Sequence, residues 1–209
     1  MTLELRAVSI ALGPRVLIPP FDLTVAPGET VTLMGPSGGG KSSLLAYLTG
    51  HLPPALAGSG RVSLGGGDIT ARPAHRRGLG ILFQDDLLFP HLSVGGNLLF
   101  GLSRSLAGRA ARRAAVEAAL SEIELPGGFD RDVATLSGGQ RARVALLRAM
   151  LAQPRALLLD EPFGRLDVPL RARMRELVWR MAAKIPVLLV THDVADVPPN
   201  GFVVEPCIT

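Results

Sequence analysis

Hydrophobic and polar positions along the chain predict short strands that alternate with helices. Residues 3–8 alternate between apolar and polar, and residues 30–34 form a short apolar run rich in β-branched side chains. Comparable runs predict strands at 21–25, 60–64, 80–83, 156–159 and 186–190, with a hairpin at the glycine run 65–67. Strands of this kind alternating with helices favour a largely parallel sheet that is covered on both faces.

Helical patterns dominate the middle of the chain. Helices are predicted directly after residue 43 and at 93–102, 109–123, 138–152 and 168–184. Because the strand pattern is absent from residue 85 to about residue 136, this stretch is interpreted as a helical insert within an α/β domain. Four arginines of the insert are interpreted as a solvated face, with contact to lipid headgroups as the less favoured alternative, namely Arg104, Arg109, Arg112 and Arg113.

Composition excludes several classes of protein. The 209 residues suit one domain, and 47% of them are hydrophobic, which is enough for a packed core. A single cysteine, Cys207, allows neither an internal disulfide framework nor a cysteine-based metal site. No apolar stretch approaches the roughly 18 residues of a membrane span, and the N-terminus lacks a signal or transit pattern. A soluble protein of a reducing compartment is therefore expected.

The charge distribution narrows the expected ligands. The net charge is +4, but no Lys/Arg run with interleaved aromatic residues appears, so a nucleic-acid partner is not expected. Only two of the 22 basic residues are lysines, and one of them, Lys41, lies in a glycine loop.

This glycine loop follows a predicted buried strand and precedes a predicted helix. Its residues match the pattern G-x-x-x-x-G-K-[ST], which cradles phosphates with backbone N–H groups and the positive end of a helix. Lys41 would supply a charge to the outer phosphates, and the Ser42 hydroxyl would reach Mg²⁺. The predicted phosphate-binding residues are Gly35, Pro36, Ser37, Gly38, Gly39, Gly40, Lys41, Ser42 and Ser43.

Two adjacent carboxylates, Asp160 and Glu161, end the apolar strand at 156–159. Ligands bind at the carboxyl ends of parallel strands, so both side chains are expected near the phosphate loop. Asp160 is suited to holding Mg²⁺ through water, and Glu161 to accepting a proton from an attacking water.

A second glycine segment opens the helix predicted at 138–152. Ser137 followed by Gln140 predicts a capping box, which marks a helix start. Gly138 and Gly139 in the first turn are poor helix formers, so they indicate a function beyond capping. Bare backbone N–H groups at a helix start would accept a phosphate closely.

These motifs, together with Gln84, the LLLDEP run and His192, resemble those of the nucleotide-binding subunit of ABC transporters. The resemblance covers about residues 3–205 in the family's order, and it is greatest to small importer-type cassettes of the YnjD group. It implies one P-loop ABC domain over residues 1–209, with a mainly parallel sheet core and an N-terminal antiparallel part. The core would comprise about residues 1–84 and 153–209, and the inserted α-helical subdomain about residues 85–152.

The resemblance also implies how the site works. Two copies would pair head to tail, so that each ATP is held by one phosphate loop and by residues 137–140 of the other copy. Gln84 would contact Mg²⁺ and the attacking water, His192 the γ-phosphate, and Asp167 would cross the dimer interface. The expected cofactors are ATP and Mg²⁺, with Ser42, Gln84 and Asp160 around the metal.

The implied partners lie at the membrane. Residues 85–91 would line a groove for a coupling helix of an integral membrane permease, which in turn works with a solute-binding protein. The subunit would be peripheral, on the cytoplasmic face of the inner membrane. The resemblance to importer-type cassettes implies that ATP hydrolysis by this subunit powers solute import.

Two departures and two alternatives remain. The family's usual adenine-stacking aromatic is replaced by Leu12, so that either Leu12 or Arg15 would cover the base. The seventeen residues after His192 predict no accessory regulatory domain. A non-transport ABC ATPase is one alternative, although a long coiled-coil insert is absent. A monomeric P-loop kinase or GTPase is the other, and it leaves the segment 136–140 unexplained.

Overall fold

The computed structural model describes residues 1–36, 38–103, 106–164 and 166–205. The predictions on Ser37, Arg104 and Cys207 therefore lie outside the described residues. The strands are β1 (Leu3–Leu12), β2 (Arg15–Val25), β3 (Thr30–Leu33), β4 (Leu56–Leu64), β5 (Gly67–Asp68), β6 (Leu79–Leu82), β7 (Ala156–Asp160), β8 (Val187–Val190) and β9 (Phe202–Val204). The helices are α1 (Lys41–Thr49), α2 (Val94–Gly101), α3 (Arg109–Glu122), α4 (Gly138–Leu151) and α5 (Val168–Met181).

The strands form two separate sheets. An antiparallel sheet has the order β2-β1-β4-β5, and a parallel sheet has the order β6-β7-β8-β3-β9. The parallel sheet and the N-terminal antiparallel part agree with the predicted fold class. The predicted hairpin is also confirmed, because Gly65 and Gly66 both have positive φ angles, 60° and 79°, in the two-residue turn between β4 and β5.

Burial explains why the strands of the parallel sheet read as continuous apolar runs. All four residues of β3 and of β8 are buried, as are the first four of β7. Leu157 and Leu159 pack into a core with α2 to α5, whereas Leu158 faces a second core with α1 and the antiparallel sheet. One face of the parallel sheet is therefore covered by helices, and the other by α1 together with the second sheet.

Most helix boundaries agree with the prediction to within a residue or two. The last helix is an exception, since α5 ends at Met181 rather than at residue 184. Its start is fixed by Asp167, whose side chain accepts a hydrogen bond from the Leu170 N–H at 2.9 Å, and by Pro169 in the first turn. None of the helices in the described part of the chain is long and apolar enough to cross a membrane.

The interpretation of the arginines as a solvated face is wrong for Arg112. Its guanidinium donates to the carbonyl oxygens of Leu99, Leu102, Ser103 and Leu106, and so satisfies the C-terminal end of α2. Arg109 and Arg113 are exposed as expected, although Arg113 also bonds Asp130. Sequence spacing cannot reveal a partner that consists of main-chain oxygens.

Arg77 performs the same task for the helix that follows the phosphate loop. It is 7% exposed and donates to Tyr47 O at 2.8 Å and Leu48 O at 2.7 Å, at the C-terminal end of α1. Its other nitrogens bond Thr70 O and Arg72 O. The burial of this guanidinium lowers its pKa, and the helix carbonyls compensate the cation. The C-terminal end of α1 is thus fixed by a side chain from outside the helix.

Candidate active site

The glycine loop connects β3 to α1 and leaves the start of the helix open. Gly40, which precedes α1, has a φ of 82°, and a Cβ there would lie 3.0 Å from the Leu17 Cβ. Glycine is therefore required by both backbone conformation and space. No side chain caps α1 and no acidic residue lies in its first turn, so its N–H groups and positive dipole end remain available to an anion.

Lys41 is folded back onto this loop. It is only 5% exposed, and its Nζ donates to Gly35 O and to Pro36 O, both at 2.8 Å. Both partners are neutral carbonyls, so the ammonium charge is hydrogen-bonded but not paired with a carboxylate. A phosphate oxygen at the helix start would meet this ammonium group.

Ser42 and Asp160 meet although they are 118 residues apart. The Ser42 hydroxyl donates to Asp160 Oδ1 at 3.2 Å, because β7 ends beside the start of α1. Burial raises the pKa of Asp160, and the Ser42 hydrogen bond lowers it by less. The adjacent Glu161 charge raises the pKa further, so this carboxylate favours a nearby cation.

Glu161 and His192 form the outer part of the cluster. Asp160 pairs with Val190 in the parallel register of β7 and β8, so the residues that follow the two strands emerge at one edge. His192 Nδ1 lies 3.3 Å from Glu161 Oε1, and the imidazole is 60% exposed. Glu161 has a φ of 45°, a conformation that ordinary side chains rarely adopt, and such strain is concentrated at functional sites.

A cavity of about 210 Å³ lies at the carboxyl end of the parallel sheet, and five of the nine predicted loop residues line it. Its lining is Leu17, Gly38, Gly40, Lys41, Ser42, Ser43 and Glu161. The structure therefore brings together the phosphate loop, the two carboxylates and His192. Gln84, residues 137–140 and Asp167 do not line this cavity. Gln84 is exposed two residues beyond β6.

The segment 136–140 forms the predicted capping box. Gln140 N donates to Ser137 Oγ at 3.3 Å, and Ser137 N donates to Gln140 Oε1 at 3.0 Å. Gly138 is exposed, and a Cβ there would approach no atom closer than 3.9 Å. Gly139 is buried, and a Cβ there would lie 2.0 Å from Leu170 Cδ2 of α5.

The interpretation of both glycines through ligand binding therefore needs a correction. Packing against α5 is a sufficient reason for Gly139 within the chain. No contact within the chain explains a glycine at position 138, because a Cβ there would face open space.

The loop after β6 borders an open groove of about 390 Å³ that Asp85, Asp86, Leu87, Leu88 and Pro90 line together with Arg141 of α4. Arg148 Nη1 donates to Leu87 O at 2.8 Å, and Arg148 Nη2 donates to Asp86 O at 3.2 Å. Leu87 is 56% exposed, so the loop presents an apolar side chain while α4 fixes its backbone.

The residues around His192 include a charged network that the sequence analysis missed. Arg171 of α5 pairs with Asp196 and Asp193, which follow His192 in the chain. The two acids are visible in the sequence, but nothing in the spacing identifies an arginine 25 residues away as their partner.

Comparisons with known proteins agree with this geometry. The profile of the family described as ABC transporter matches residues 18–164, which include the phosphate loop, the segment 136–140 and both carboxylates. An uncharacterized ABC transporter ATP-binding protein of Escherichia coli, YnjD, is 51% identical over 96% of this chain and 93% of its own length.

Longer relatives match over part of their length. The chain is 45% identical, over 92% of its residues, to the Fe(3+) ions import ATP-binding protein FbpC of Streptomyces avermitilis, and it spans 56% of that protein. It is 43% identical to the taurine import ATP-binding protein TauB of Pseudomonas savastanoi, over 84% of this chain and 66% of that protein. The chain therefore belongs to the ABC transporter family, as one of the ATP-binding subunits whose ATPase activity powers these transporters.

Proposed function

We propose that the protein powers solute import through an ATP-driven, head-to-tail dimer on the cytoplasmic face of the inner membrane. The observation that carries this proposal is the cluster of Lys41, Ser42, Asp160, Glu161 and His192 at one sheet edge. The import direction is supported by relatives whose names describe import of Fe(3+) ions and of taurine.

Within this proposal the phosphate loop binds the nucleotide electrostatically. Backbone N–H groups from Gly38 to Ser43, the start of α1 and the Lys41 ammonium surround the phosphates. Binding requires Lys41 to exchange its two loop carbonyls for phosphate oxygens, which compensates the charge that the loop leaves unpaired.

The oxygen atoms of Ser42 and Asp160 fit Mg²⁺. They lie 3.2 Å apart, and the described residues contain no cluster of three or more acidic, histidine or cysteine ligands. One or two carboxylates supplemented by phosphates and water is the donor set that Mg²⁺ prefers. Gln84 would join this set from the loop after β6. When bound, the ion neutralises charge on the transferring phosphoryl group.

Hydrolysis is assigned to the outer residues of the cluster. Glu161 accepts the proton of the attacking water, and His192 contacts the γ-phosphate from the adjacent strand end. Their separation of 3.3 Å keeps both groups within reach of one small volume.

A second copy completes the site. Ser137, Gly138, Gly139 and Gln140 of that copy would approach the phosphates through the N–H groups at the start of α4. Asp167, which is exposed and caps α5, would face the same interface.

The remaining surfaces are assigned to transport. Residues 1–84 and 153–209 form the nucleotide-binding core, and residues 85–152 form the helical subdomain. The groove bordered by Leu87 and Leu88 receives a coupling helix of an integral membrane permease. A solute-binding protein would act through that permease rather than through this subunit.

Replacement of Glu161 by glutamine tests the catalytic assignment. Because the amide cannot accept the proton, turnover is expected to fall about a hundredfold or more, in keeping with the loss of a general base. ATP binding is retained, and dimers accumulate with ATP and Mg²⁺ in size-exclusion chromatography. Glu176→Gln, at an exposed position of α5, is the matched control. Retained turnover in Glu161→Gln would exclude Glu161 as the base.

A further inference from the structure

The turn that carries His192 is attached to α5 by a bidentate ion pair. Arg171 Nε donates to Asp196 Oδ1 at 2.8 Å, and Arg171 Nη2 donates to Asp196 Oδ2 at 2.6 Å. Two parallel bonds between a guanidinium and a carboxylate fix the relative orientation of both groups. The Asp196 side chain is 1% exposed and that of Arg171 is 19% exposed, so the pair is largely shielded from water.

The same arginine is linked to both neighbours of the histidine, directly to Asp193 and through Asp196 to Thr191. Arg171 Nη1 lies 2.8 Å from Asp193 Oδ2, and Asp193 directly follows His192. Thr191, which directly precedes His192, donates its hydroxyl to Asp196 Oδ2 at 2.9 Å. Asp193 N in turn donates to Thr191 Oγ1 at 3.1 Å. The residues on either side of His192 are therefore tied to one guanidinium.

The imidazole of His192 is mostly exposed and is not fixed by packing. Its described ion-pair contact is with Glu161, at 3.3 Å, and most of its surface is exposed. A side chain this exposed takes its position from its backbone, so the backbone of the turn determines whether the imidazole reaches a phosphate. A buried ion pair is weak support for overall stability, but it can fix one geometry.

We infer that Arg171 and Asp196 are positioning residues for hydrolysis, because they hold the turn from Thr191 to Asp196 where His192 can contact the terminal phosphate. This inference rests on the proposed role of His192. It adds a requirement that the phosphate loop and the carboxylates do not supply, namely a correctly placed turn after β8.

The first measurement compares steady-state ATP hydrolysis by the wild type and by the double variant Arg171→Met/Asp196→Asn. Both charges of the bidentate pair are removed together, so that Asp196 is not left buried and unpaired. The more exposed Asp193 loses its contact with Arg171, and Arg175 loses its 3.8 Å contact with Asp196. We expect kcat to fall by about tenfold to a hundredfold, as for misplacement of a catalytic group by about an ångström. The KM for ATP is expected to change less than about twofold, because ground-state binding is made by the phosphate loop.

Two further variants separate positioning from general damage. Arg173→Met removes an exposed arginine of the same helix and is expected to leave kcat and the melting temperature unchanged. Arg171→Lys keeps the charge but loses the two-pronged geometry, so an intermediate kcat is expected. An unchanged kcat in both the double variant and Arg171→Lys would overturn the inference.

The decisive measurement is a double-mutant cycle with His192→Ala. If the ion pair acts through His192, removing it has no further effect on kcat once the imidazole is absent. If kcat falls by the same factor with and without the imidazole, the pair has only a structural role, and the inference is overturned. If His192→Ala alone retains wild-type turnover, the proposed role of His192 fails instead, and the two failures are distinguishable.

Discussion

The two glycine segments of the chain both open helices, but they differ in how those helix starts are used. At the start of α1, glycines with positive φ angles bend the backbone around a cavity, and no side chain caps the helix. At the start of α4, the helix is capped by its own Ser137 and Gln140, and Ser137 and Gly138 are exposed. The first segment lines a cavity at the start of α1 and is called the receptor below. The second segment, residues 137–140, is an exposed helix start and is called the tip.

One chain can therefore supply only part of the proposed site. Five side chains converge at the start of α1, namely Lys41, Ser42, Asp160, Glu161 and His192. A single chain therefore carries the side chains that are proposed to act on the phosphates of one nucleotide. The tip at Gly138 has an open face and no group of the cavity beside it. Its use as a phosphate ligand requires a second molecule, as the proposed dimer provides.

The largest effect is expected when the intact receptor and the intact tip are placed on different chains. Lys41→Met destroys the loop and leaves the tip intact, whereas Ser137→Arg blocks the tip and leaves the loop intact. We expect each variant alone to lose nearly all turnover. In an equimolar mixture, about a quarter of wild-type turnover is expected, since half of the dimers then contain one intact composite site.

The control for this mixture uses two variants with the same defect. Lys41→Met mixed with Ser42→Ala leaves every loop damaged, so no turnover is expected to return. Mixtures are assayed over a range of total protein concentration, because recovery depends on dimer formation. If mixing Lys41→Met with Ser137→Arg restores nothing while ATP-dependent dimers form, the tip does not complete the partner's site.

A smaller effect distinguishes the two glycines of the tip. Gly139→Ala forces a Cβ against Leu170, so we expect a loss of about 1–3 kcal/mol in the free energy of unfolding. Gly138→Ala has open space, and helix propensity alone predicts a gain of about 0.5–1 kcal/mol. Urea unfolding measures both variants without nucleotide.

Turnover then reports the function of the same two positions. The methyl group of Gly138→Ala faces the proposed partner, so this variant is expected to be more stable but less active than the wild type. Equal destabilisation by the two alanines would contradict the assignment of Gly139 to packing and Gly138 to the interface.

Much of the site could be predicted because its geometry follows from chain order. Asp160 and His192 end neighbouring parallel strands, and such strands bring their carboxyl ends to one edge. Arg77, Arg112 and Arg171 were missed as structural residues, because their partners are carbonyl oxygens or acids distant in sequence. The strand β9 was missed because its apolar run is only three residues long, which is shorter than the runs that predict a strand.

The smallest expected effect concerns the nucleotide base, where the receptor lacks an aromatic platform. Leu12 is 47% exposed and pairs with Arg15 at the tip of the β1–β2 hairpin, while Val16 beside it is 49% exposed. Aliphatic side chains cover a purine without reading its polar edge, so ATP and GTP are expected to bind with similar dissociation constants. Stacking on an aromatic contributes about 1–3 kcal/mol per base in nucleic-acid complexes, so Leu12→Tyr should tighten ATP binding by about fivefold.

Leu12→Phe separates stacking from the tyrosine hydroxyl and is expected to tighten binding equally. Leu12→Ala removes apolar cover and is expected to weaken ATP and GTP binding to the same extent. Fluorescence titration with both nucleotides measures these differences in the absence of hydrolysis. A strong preference of the wild type for ATP would show that other groups recognise the adenine, and the base would then be read at a position other than the hairpin tip.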